Sequence, residues 1–93
     1  MLSKIPINID KVGEEKLDQE ILRTALIAEL DAVNLYEQMA AMTDNENIKN
    51  ILMDIAKEEK THIGEFETML LELDREQVEE LKAGEKEVKE LIK

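Results

Sequence analysis

Residues 48–73 read IKNILMDIAKEEKTHIGEFETMLLEL, and a helix of 3.6 residues per turn sorts them onto one face. With Ile55 as origin and about 100° per residue, Ile48, Ile51, Leu52, Phe66 and Leu73 fall within roughly 60° of it. Glu59, at about 40° on one side, and His62, at about 20° on the other, lie inside the same arc. The pattern predicts a long amphipathic helix whose apolar stripe carries a carboxylate and the chain's single histidine. An ionised carboxylate left unpaired in such a stripe costs on the order of several kcal/mol, so the stripe calls for a counter-charge.

Working outward, residues 15–42 hold the same period without Gly or Pro, which predicts a first helix of about 40 Å. Leu22, Ala25, Ala32, Val33, Tyr36 and Ala40 form its stripe, and Glu29 falls near the centre. Between the two helices, Thr43-Asp44-Asn45-Glu46 offers cap residues, with Thr43 and Glu46 at capping-box spacing. The connection is short, so a second helix over 45–73 runs back antiparallel to the first. Within it the lone Gly64 is expected to mark a close helix contact. Asp74 with Gln77 repeats the capping signal and opens the helical segment 75–92, read as a short helix from Arg75 to about Ala83 capped by Gly84, then Glu85 to Lys93 with Val88, Leu91 and Ile92 at helical spacing. Residues 1–13, with Pro6 blocking a helix, read as a loose or strand-like arm. The fold class is all-α: an antiparallel two-helix hairpin with a short C-terminal helix, one domain that is half of a bundle.

Composition narrows the function. The 93 residues hold 23 acidic and 12 basic side chains, a net charge of −11, which argues against nucleic acid and anionic membrane surfaces as partners and favours cations. Cysteine is absent, which removes disulfides, thiolate metal sites and iron–sulfur carriers from this stretch of chain. With one Phe, one Tyr and no Trp, a hairpin with a one-sided stripe cannot cover itself, so two or more copies are expected to share the apolar seam. No signal-peptide core or membrane-spanning run is legible, and the cytoplasm is the expected compartment.

Glu-x-x-His is by itself a feeble motif, because 17 of the 93 residues are Glu. Its position on a buried stripe strengthens it, since side chains at i and i+3 meet on one helix face and Glu29 offers a third ligand from the facing helix. A two-fold axis through the seam would gather two copies each of Glu29, Glu59 and His62. That set of four carboxylates and two imidazoles is the donor set of ferritin-like di-iron bundles. Its −4 charge matches two Fe²⁺, so a filled core is neutral where an empty one repels itself. Glu58 and Glu65, at the rim of the stripe, could relay cations, but a solvent-facing role is the favoured reading and they stay outside the ligand set. Met39, Met42, Met53 and Met69 read as core filler, because the neighbouring donors are oxygen and nitrogen.

The stretches AELDAVNLYEQMA (28–40), EEKTHIGEF (58–66) and LDREQVEELKAGEKEVKEL (73–91), with 30 residues between Glu29 and Glu59, resemble the encapsulated ferritins. These are small ferritin-like proteins housed in encapsulin nanocompartments and distantly similar to rubrerythrins; the branch fused to a shell protein is most alike. The resemblance implies a homodimer that completes a ferritin-like four-helix bundle and a ferroxidase with an iron cofactor, one Fe per subunit, at a di-iron centre between subunits. It also implies a decamer ring of five dimers inside an encapsulin shell, with O₂ or peroxide as oxidant. Glu29, Glu59 and His62 match the family's iron ligands, and Tyr36 matches a tyrosine near the metal. The family's acidic cation-admission positions are Ala28 and Asp31 here, and Leu35 stands where relatives carry Trp. No encapsulin-targeting peptide is legible, which fits a fragment of a fusion or a free-standing relative. Two other readings remain at this point: a rubrerythrin-like peroxidase or oxygen scavenger, and a metal-free helical interaction module.

Overall fold

A computed structural model describes residues 13–92, apart from the side chains of residues 14 and 15. Three helices follow one another: α1 (Glu14–Met42), α2 (Glu46–Leu73) and α3 (Arg75–Leu91). The arm expected over 1–13 lies, except for Gly13, outside the described residues. No helix among these residues is long and apolar enough to cross a membrane.

The helix ends follow local hydrogen bonding, with two departures from expectation. Asn45, not Thr43, caps α2: its Oδ1 accepts from the backbone N–H groups of Asn47 and Ile48 at 3.0 and 3.1 Å. Thr43 is the C-cap of α1, and its Oγ1 accepts from Asn45 N at 3.1 Å, fixing the bend one step before the cap. Gly84 ends nothing, for α3 runs through it to Leu91 and no glycine adopts a positive φ. A helix of 17 residues absorbs one Gly at a cost of about 1 kcal/mol. Gly64 is likewise no close contact within the chain, because an added Cβ would meet nothing within 4 Å.

Asp74 alone makes the corner between α2 and α3. Its N–H donates to Leu70 O at 2.9 Å, closing α2, and its Oδ1 accepts from Gln77 N at 3.0 Å, opening α3.

α1 and α2 pack antiparallel along their length, whereas α3 packs sparsely. The buried apolar residues are few and mostly small: Val33, Ala40, Ala56 and Leu70. Small side chains at the contact let the two backbones approach closely. The stripe centred on Ile55 is therefore not the face that meets α1. It lies to one side of the Ala56–Leu70 line, and Ile51 and Ile48 on it are 62% and 49% exposed in the single chain. The radius of gyration is 16.6 Å, against about 12 Å for a self-covered chain of this length. Extents of 47 × 44 × 20 Å describe a plate about two helices thick. Such a plate leaves an apolar face open.

Candidate metal centre

Glu29 stands near the middle of α1, and Glu59 and His62 stand one turn apart near the middle of α2. Antiparallel packing puts these midpoints side by side. His62 Nδ1 lies 3.4 Å from Glu29 Oε2 and 3.4 Å from Glu59 Oε2. One donor atom from each of the three residues lies within 4.8 Å of the others. Donors sharing one ion at about 2.1 Å, with angles of 90–110°, stand about 3.0–3.4 Å apart, which the two distances from His62 match.

Burial grades outward. The Glu29 and Glu59 side chains are 19% and 17% exposed, and His62 is 46% exposed. The expected burial of His62 thus does not hold within one chain, because its face is the one the hairpin leaves open. Glu29 Oε2 is shielded from solvent and accepts no hydrogen bond. A buried carboxylate oxygen without a donor is costly, and a bound cation satisfies it. The nearby ammonium of Lys60 does not serve, being paired with Glu37 on α1 at 3.3 Å. Two carboxylates and an imidazole fit iron, zinc, cobalt or manganese. The residues present therefore fit a transition-metal ion.

An open hollow of about 310 Å³ leads to the cluster, lined by Glu29, His62, Glu65 and Phe66. Glu65 is the residue that sequence reasoning set aside as solvent-facing. It is exposed and it also borders the hollow. Its place three residues after His62 was the available signal, since i and i+3 share a face. Tyr36 is half-buried two turns beyond Glu29 on α1, about 10 Å along the axis, and does not join the trio.

Comparison with known proteins agrees with this architecture. The model of the EncFtn-like family matches residues 5–92. A ferritin-like–encapsulin shell fusion protein of Pyrococcus furiosus is 59% identical over 93 aligned residues, covering 98% of this chain and 27% of that protein. An encapsulin nanocompartment cargo protein of Myxococcus xanthus is 39% identical over 69 residues, covering 71% of this chain and 53% of that one. The chain thus spans about a quarter and about half the length of these two relatives. The crystal structure of the encapsulated ferritin domain from Pyrococcus furiosus superposes with a TM-score of 0.85 at 57% identity, covering 99% of this chain and 96% of that one. With nearly its whole length matched in both sequence and fold, the chain belongs to the EncFtn-like family of encapsulated ferritins.

Proposed function

We propose that this chain is a ferroxidase that oxidises Fe²⁺ to Fe³⁺ at a di-iron centre shared by two subunits. The observation that carries this reading is the solvent-shielded, donorless Glu29 Oε2 beside His62 and Glu59 on a face the hairpin leaves open. One chain offers two carboxylates and one imidazole, which leaves a single ion short of donors. A second copy related by a two-fold axis through the face of Ile48, Ile51, Ile55 and Phe66 covers that face and adds a second trio.

In this arrangement each chain's Glu59 and Glu29 contribute carboxylate oxygens and His62 a ring nitrogen, with one iron per subunit. Two bound Fe²⁺ supply one electron each to O₂, which takes up two protons and leaves as hydrogen peroxide. Glu29 and Glu59 balance the charge: four carboxylates carry −4 against +4 for two Fe²⁺, so the pair of ions is admitted more readily than one. His62, the most exposed of the three, stands nearest to arriving substrate. Tyr36, two turns along α1, stays outside the ligand set, and its place near the metal rests on the family resemblance alone. Phe66 gives the hollow an apolar wall beside the imidazole.

A bundle of this size has no room for a mineral, so the product passes to a compartment. The encapsulin fusion and cargo relatives support an encapsulin shell as that compartment; the decamer ring of five dimers inside it rests on the family resemblance alone. Anaerobic Fe²⁺ titration followed by exposure to air tests the reading. Saturation at one iron per chain, assembly to a dimer or larger ring, and ferric absorbance on oxygenation are the expected results. Rapid peroxide turnover with a reductant and little iron release would replace this reading with a peroxidase. Absence of binding would reduce the trio to structural residues of an interaction module.

A further inference from the structure

We propose that Glu65 is the admission residue of this centre: its carboxylate captures the arriving divalent cation at the mouth of the hollow and passes it to His62 and Glu29. The inference rests on the metal-centre reading above. Three observations converge on it.

The first is the path. Glu65, His62 and Glu29 line one hollow, the first two exposed and the Glu29 side chain 19% exposed, so an entering cation meets an exposed carboxylate and imidazole before the shielded oxygen that lacks a donor. The apolar Phe66 wall offers no competing ligand along the way.

The second is that Glu65 is available. Some acidic residues on these helices stand within 4 Å of a basic partner: Glu37 of Lys60, Glu46 of Lys49, Glu79 of Lys82 and Glu85 of Lys89. Among the described residues no basic group pairs with Glu65. Its charge acts outward on passing cations with no internal partner to neutralise it.

The third is register. Glu65 follows His62 by three residues, so both reach the same side of α2 one turn apart, about 5–6 Å between Cβ atoms. A hydrated ion held by one needs only side-chain rotation to exchange a water for the other. An exposed carboxylate also releases the ion easily, which a relay requires and a permanent ligand does not.

The test is stopped-flow association of Co²⁺ with the whole chain, followed by visible absorbance, for the parent, Glu65→Gln and Glu65→Asp. Gln keeps the size and removes the charge. Glu65→Gln is expected to slow association about five- to tenfold at low salt, with stoichiometry and the absorbance band unchanged, and Glu65→Asp to recover most of the rate. The deficit should shrink as salt screens the charge. Parent-like rates in Glu65→Gln overturn the inference and leave the centre standing. Loss of stoichiometry or a shifted band makes Glu65 a ligand, and the relay is equally overturned. A parent chain that does not bind Co²⁺ removes the metal centre itself and the relay with it.

Discussion

Arg23 of α1 donates through Nη2 to Oδ2 of Asp74 at 2.7 Å, bridging 51 residues of sequence to the corner between α2 and α3. Gln19 reinforces the junction by donating to Leu73 O at 3.0 Å. The N–H of Gln77, and then Arg23, hold the Asp74 carboxyl below its ordinary value of 3.8. A carboxylate lowered on folding stabilises the fold above its unfolded value, and that contribution is lost as pH falls through the lowered one. Asp74→Asn keeps a capping side chain and loses the charge. Thermal unfolding at neutral pH is expected at a lower midpoint for the variant, the gap closing as pH drops below about 4. A gap that is constant across this range would refute the role of the ion pair.

Glu59→Gln separates metal binding from folding. Saturable Co²⁺ or Fe²⁺ binding should vanish in calorimetry. The metal-free variant should be more stable to unfolding than the parent, by on the order of 1 kcal/mol, because Glu29 and Glu59 no longer repel each other. A variant that is less stable without metal would show that the carboxylates are structural.

Ile51→Lys probes the open face. A charge placed there opposes its burial against a second copy, so sedimentation velocity should show a monomer where the parent associates. Metal stoichiometry should fall with it. An unchanged oligomer would place the seam elsewhere.

Asn45→Ala removes the acceptor for two backbone donors at the start of α2 and should cost about 1 kcal/mol in denaturant unfolding. Gly84→Ala should stabilise α3 by about 0.5–1 kcal/mol, since the added methyl meets no atom within 4 Å and the backbone is already helical.

Helical periodicity carried the three-helix reading because 15–42 and 45–73 are long and uninterrupted, so their apolar arcs stand out from chance. The same arcs made Glu29, Glu59 and His62 conspicuous, as charged positions where Leu or Ala is expected. Two things were out of reach. An arc wider than one helix contact does not say which edge meets which neighbour, so Ile51 was read into the inner stripe, whereas packing put Ala56, about 100° round from Ile55, in the hairpin and left Ile51 open. Thr43 and Asn45 are both good caps, and the choice between them depends on where the backbone leaves α1 for an extended bend. Glu65 was named at the rim of the stripe but set aside, because it is one of many exposed acidic residues and only the hollow it borders distinguishes it.

All three donors stand about three turns or more from the nearest helix end, in the two longest helices of the chain. Fraying seldom reaches so far, so amide exchange at these positions requires parting of the whole hairpin. A cation bound there would slow exchange across both helices together instead of ordering one loop.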